Sequence, residues 1–223
     1  MVDAAREGPG PDGLVDEIAR AQLAGDSRDA VTVVERALAG GIEVGTIRAA
    51  IAASQRTIGE LWAQNRISVA TEHMATAVAH VALAHLFHRA PLPARRSTRV
   101  VLACVPGEQH AFPARLAADA LDLAGFDVLF LGADVPLSGL VTFVEEHRPD
   151  ALALSVTIPY HLPRVAEVVH AVREVAPAMP ILVGGGASKD WTPIVQALGL
   201  EGAALDAESL IALLERLDTR GAT

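Results

Sequence analysis

Two hydrophobic rhythms divide the chain. Up to about residue 90, apolar positions recur in steps of three and four; beyond about residue 98, short apolar runs alternate with helical stretches. In the first part Leu14, Ile18 and Ala21 share one helical face, and Gly25-Asp26 ends that piece. Ser27 is expected to cap a second helix carrying Val31, Val34 and Leu38, stopped by Gly40-Gly41. Val44, Ile47, Ile51, Ser54, Ile58 and Leu61 mark a third, breaking near Asn65-Arg66. A fourth, alanine-rich, runs from about Ser68 to His88. Short links between four such helices predict an antiparallel four-helix bundle over 11–90. Residues 1–10 read as a disordered lead. Arg89 to Ser97, with two prolines and three arginines, reads as a solvated hinge.

Beyond that linker, strands are expected at Arg99–Val105, Asp127–Gly132, Ala151–Val156 and Ile181–Gly184, with a weaker fifth near Gly202–Leu205. Helices fall between them at Ala111–Ala124, Leu137–His147, Leu162–Val175 and Trp191–Leu198, and Ala207–Leu217 closes the series. Apolar strands alternating with helices imply a parallel sheet covered on both faces. The fold class is therefore α/β with an N-terminal all-α part: a four-helix bundle, then a Rossmann-like, flavodoxin-type five-stranded sheet over 97–219.

Composition narrows the function. The formal net charge of −9 argues against a general nucleic-acid binder. Cys104 is the single cysteine, which excludes an internal disulfide and fits a reducing cytoplasm. The first residues carry charges and Gly8-Pro9-Gly10 where a signal peptide would be apolar. Met74 to Phe87 is apolar but too short to span a bilayer. A soluble cytoplasmic protein without membrane or direct nucleic-acid contact is expected. There is no Gly-x-Ser-x-Gly, no Walker loop and no evident pair of catalytic carboxylates, so the chain is not expected to be an enzyme.

Unusual residues gather at the expected strand ends, where open sheets hold ligands. The first loop carries Glu108 and His110. A carboxylate can fix one imidazole nitrogen and aim the other at a metal; on its own the pair is better read as a solvated surface loop. The second loop is Gly132 to Pro136, and the third runs from Ser155 to His161, with small hydroxyls at Ser155 and Thr157. The fourth, Gly184-Gly185-Gly186, would let a ligand lie on bare backbone. As a set, the four loops look like a site for a large cofactor.

Here the chain resembles the cobalamin-binding fold, with its Asp-x-His-x-x-Gly, Ser-x-Leu and Gly-Gly motifs. The matching residues are Glu108-x-His110-x-x-Pro113, Ser155-x-Thr157 and Gly184-Gly185; Glu for Asp and Pro113 for Gly are departures. The resemblance implies that His110 replaces the cofactor's own base as lower cobalt ligand, and that the displaced tail runs past Ser155 and the glycines. In the bundle, Trp62 and Glu72-His73 form a Trp-x9-Glu-His pattern. It is similar to the helical cap of light-sensing, adenosylcobalamin-binding repressors of carotenoid genes, where these residues surround the adenosyl group. Those repressors place a histidine after the Trp, where this chain has Ala63. They also carry a DNA-reading domain, where this bundle begins near Pro11.

The resemblance implies a light sensor: adenosylcobalamin bound between bundle and Rossmann-like part, with loss of the adenosyl group moving the bundle across the hinge. That would change homo-oligomeric state or binding of a downstream protein partner. The alternative is a corrinoid shuttle protein of a methyltransferase system, which shares the layout. A second chromophore, a bilin such as biliverdin, is open because His80, His85 and His88 follow His73 on the fourth helix. These histidines otherwise read as packed or half-exposed side chains.

Overall fold

The structure, a computed structural model, describes residues 11–91 and 93–221. The disordered lead expected at residues 1–10 lies outside them. The chain forms two compact units that divide after Pro91.

In the first unit α1 (Pro11–Ala24), α2 (Ser27–Ala39), α3 (Val44–Ala63) and α4 (Val69–Arg89) pack as a bundle. Leu14, Ile18, Val34, Ile47, Ile51, Ile58, Ala79, Leu83 and Leu86 are buried at its centre. Each buried valine, leucine or isoleucine among them contributes about 1.5–3 kcal/mol. Ser27 is not the cap of α2. Asp26 is, its carboxylate accepting from the Arg28 and Asp29 amides at 3.0 and 2.9 Å, a charge-assisted bond that a serine would not match. Ser68 caps α4 through the Thr71 amide at 3.1 Å.

In the second unit β1 (Arg99–Cys104), β2 (Asp127–Gly132), β3 (Ala151–Ser155), β4 (Ile181–Gly184) and β5 (Gly202–Ala204) form one parallel sheet in the order β2-β1-β3-β4-β5. Alternate residues feed two cores. Val101, Ala103, Leu152, Leu154, Ile181 and Val183 meet α6 (Leu137–His147) and α7 (Leu162–Val175). Val100, Leu102, Cys104, Ala153 and Leu182 meet α5 (Phe112–Leu123) and α9 (Ala207–Gly221). The short helix α8 (Thr192–Leu198) packs through Ile194 and Val195 on the α6–α7 side. β1 and β3 stop one residue before the sequence expectation, at Cys104 and Ser155. The next amides, of Val105 and Val156, still reach the neighbouring strands' carbonyls as the chain turns away.

The linker is not a solvated hinge throughout. The Arg96 amide donates to Gly125 O at 2.7 Å, and its guanidinium reaches Ala124 O at 2.9 Å and Glu215 at 2.8 Å while lying over the Phe126 ring. Arg95 pairs with Asp122. Gly125 makes this docking possible: at φ +94, a Cβ there would sit 2.4 Å from Ala94 O. Residues 94–98 thus belong to the second unit. Among the described residues no helix is long and apolar enough to cross a membrane.

Candidate functional site

From β1 the chain winds outward in one direction to β2 and in the other through β3 to β5, so the loops after β1 and β3 part at a switch point. Glu108, in the first of these loops, is fully buried. Its Oε1 accepts from the His110 amide at 3.0 Å and from His110 Nδ1 at 2.6 Å. Its Oε2 accepts from the amides of Thr157 and Ile158 at 2.8 and 2.9 Å, and from His161 Nδ1 at 3.1 Å. Burial pushes the Glu108 carboxyl up. The hydrogen bonds from Ile158, His110 and His161 outweigh it and bring the pKa down to about 2. Glu108 is therefore an acceptor-only carboxylate at neutral pH, and each ring must present Nδ1–H to it. The His110 ring, 42% exposed, is left with Nε2 free.

Thr157 and Ser155 lie beside this group. The Thr157 hydroxyl is buried without a hydrogen-bond partner, which is unusual for a polar atom inside a protein. Ser155 stands in register with Cys104 on one side and Gly184 on the other, and Gly184 with Ala204. Small side chains therefore make one row across the strand ends. Burial first, and the Glu108 charge second, push the Cys104 thiol up to about 12. It stays protonated at neutral pH.

The glycines have a reason beyond leaving a ligand room. A Cβ on Gly184 would lie 2.4 Å from Ala204 O, and one on Gly185, at φ +110, 2.3 Å from Val156 O. Their own neighbouring backbone demands glycine at both positions. At Gly186 the nearest atom, Thr157 O, would be 3.7 Å away, an ordinary contact. Pro113, the departure in the histidine loop, falls in the first turn of α5, where a missing N–H costs nothing.

Two residues not picked out from the sequence hold the histidine loop. Asp134, at φ +48, accepts from the Gly107 amide at 2.7 Å and from Gln109 Nε2 at 3.0 Å. Its own amide donates to Glu108 O at 2.9 Å. His161 closes the Glu108 group from the other side, its side chain 17% exposed. Both stand in loops that the sequence marks as strand ends; their ties to Glu108 cross too much chain for spacing to show.

In the bundle unit, Trp62 lies in the last turn of α3 and is 41% exposed, so it is not a core aromatic. Glu72 and His73 lie in the first turns of α4. His73 Nδ1 bonds Glu72 Oε2 at 2.7 Å, and Glu72 Oε1 accepts from Thr76 at 2.8 Å and Gln55 at 3.4 Å. Gln55 also bonds Thr76 and accepts from the buried Gln22, so the exposed His73 is tied into the bundle interior. His85 is half-buried and bonds Glu35 at 2.5 Å, and Arg89 pairs with the same carboxylate at 2.9 Å. His80 and His88 are exposed. Among the described residues no cluster of three or more His, Cys, Asp or Glu forms a cage for a metal ion.

The resemblance to the cobalamin-binding fold implies a metal held mostly by its own macrocycle, with a single imidazole from the protein. His110 meets that demand: its tautomer is fixed, Nε2 is free, and an unpartnered hydroxyl and a row of small residues stand beside it. The residues fit a cobalt corrinoid.

Comparison with known proteins agrees. A B12 binding domain model matches residues 98–212, and a second model of that description matches residues 14–87. The HTH-type transcriptional repressor CarH of Myxococcus xanthus is 31% identical over 144 residues, 64% of this chain and 48% of the repressor. This chain thus spans about half the length of that relative. Trimethylamine corrinoid protein 1 of Methanosarcina acetivorans is 26% identical over 181 residues, 77% of this chain and 83% of that protein. The structure of the Methanosarcina barkeri monomethylamine corrinoid protein superposes with a TM-score of 0.78 at 16% identity, covering 92% of this chain and 98% of that one, a likeness of fold. A bundle followed by a five-stranded parallel sheet with this histidine loop makes the chain a member of the B12-binding domain family, a cobalamin-binding protein.

Proposed function

We propose that this protein is a light sensor that binds adenosylcobalamin with His110 as the lower cobalt ligand, and that it has no turnover of its own. The observation that carries the ligation is the buried Glu108, which holds Nδ1 of His110 and leaves Nε2 free. The sensing role is supported by the likeness to the CarH repressor and by the exposed Trp62 with the anchored Glu72–His73 pair. An indole offers a flat wall to an adenosyl group, and Glu72 and His73 offer hydrogen bonds to its polar edge. When bound, adenosylcobalamin supplies a cobalt–carbon bond that visible light breaks. The protein's part is to hold the cofactor, report loss of the upper group, and change self-association or partner binding.

The test is size-exclusion chromatography of the adenosylcobalamin-loaded protein in darkness and after illumination. A light-dependent change in elution volume, absent with cyanocobalamin, is expected; identical profiles would remove the sensing role. The corrinoid shuttle is the second reading, favoured because the trimethylamine corrinoid protein matches over more of its own length than the repressor does. Preference for methylcobalamin, with methyl transfer to a thiol by a partner enzyme, would select it. Expression with biliverdin tests for a second chromophore, and a preparation without a red absorption band would exclude one.

A further inference from the structure

We propose that His161 is a positioning residue for the cobalt ligand. This rests on the ligation of cobalt by His110 proposed above. Glu108 serves two rings, one on each oxygen: His110 Nδ1 on Oε1 and His161 Nδ1 on Oε2. The carboxylate is fully buried, so no bulk water can replace a lost donor. The Thr157 and Ile158 amides approach Oε2 from the loop backbone, and among the described residues His161 adds the one side-chain donor on that oxygen. Three donors on Oε2 oppose rotation of the carboxylate plane and so keep Oε1 aimed at His110.

The position of His161 is itself set by the fold. It ends the 3-10 turn Pro159–His161 ahead of α7, with its amide bonded to Ile158 O at 2.9 Å. Its Nε2 faces Gly107, where a Cβ would stand 3.6 Å away. The ring is thus wedged between the two loops of the switch point, joining the β3 loop to the carboxylate that holds the ligand. Its function is to keep the Nδ1 proton of His110 engaged and the Nε2 lone pair outward. A bulky packing residue would not do this.

The experiment loads 15N-labelled protein with unlabelled cob(II)alamin under anaerobic conditions and records the electron paramagnetic resonance spectrum. The isotope changes the multiplicity of the splitting from the axial nitrogen, so a protein imidazole is told apart from the cofactor's own base. Wild type is expected to show protein-nitrogen splitting and His110→Ala none. His161→Leu is expected to lower the ratio of protein-ligated to unligated cobalt by about tenfold, the usual order for a lost outer hydrogen bond at a metal site. His161→Asn, whose amide donates from nearly the same point as Nδ1, is expected to restore it. If His161→Leu does not fold, His161→Met takes its place. A leucine or methionine variant with the wild-type ratio would overturn the inference, and so would an asparagine variant as poor as the leucine one. Absence of protein-nitrogen splitting in wild type would instead remove the His110 ligation, and this inference with it.

Discussion

Replacing Glu108 with glutamine isolates the buried carboxylate. An ordinary glutamate titrates near 4.5 and Glu108 near 2. That gap corresponds to about 3 kcal/mol of native-state stabilisation. The sign follows from the direction: a carboxylate with its native pKa depressed stabilises fully above the unfolded value, and the stabilisation is lost as pH falls toward the native value. The contribution is therefore complete above about pH 4.5 and gone by about pH 2. Glutamine cannot reproduce it, because its NH2 would face either the His110 donors or the Thr157, Ile158 and His161 donors. The assay is urea unfolding of the apo protein followed by Trp191 fluorescence in a Trp62→Phe background, since Trp191 is buried in the second unit. Wild type minus Glu108→Gln should show a pH-dependent part of about 3 kcal/mol at pH 7 that shrinks steadily below pH 4.5. A difference independent of pH between 7 and 3 would show that these donors do not stabilise a charged Glu108.

Other sites give further checks. Gly185→Ala should destabilise the second unit by on the order of 3 kcal/mol, through the clash with Val156 O and the positive φ, whereas Gly41→Ala, at φ +79 in open space, should cost about 1–2 kcal/mol in the bundle; equal effects in chemical denaturation would contradict this. Asp122→Ala with Glu215→Ala removes the carboxylate partners of Arg95 and Arg96, and amide exchange over 94–98 should quicken by about fivefold; unchanged exchange would mean these ion pairs do not hold the segment down. Thr157→Val removes an orphan buried hydroxyl, so thermal stability of the apo protein should be unchanged or rise by about 1 kcal/mol. A loss of stability would show that the hydroxyl has a partner in the apo protein.

The period of the apolar positions was enough to read the architecture. Steps of three and four gave the bundle, and β-branched runs between helical segments gave a parallel sheet, because burial on one helix face or both sheet faces leaves those marks. The Glu108–His110 pair was readable for the same local reason, two residues apart on one loop. What was not readable is non-local. His161 bonds Glu108 across 53 positions, and Arg96 finds Glu215 across 119. Charged residues in a proline-containing stretch look solvated until the folded chain shows the carboxylates facing them. Asp26 and Ser27 are both competent caps, and only the backbone turn decides between them. At Gly184 and Gly185 the residue type was informative but its cause was not: neighbouring carbonyls occupy the space a side chain would need.

In the function proposed above, an imidazole of this chain holds cobalamin through its metal. The visible absorption spectrum of protein dialysed with adenosylcobalamin in the dark, then illuminated, tests it most directly, for wild type and His110→Ala. Wild type should retain the cofactor with an axial-nitrogen spectrum that converts on illumination. His110→Ala should show the spectrum of a corrinoid without an axial nitrogen, or retain none. Spectra from wild type and variant that match each other and the free cofactor would mean that His110 does not hold the metal.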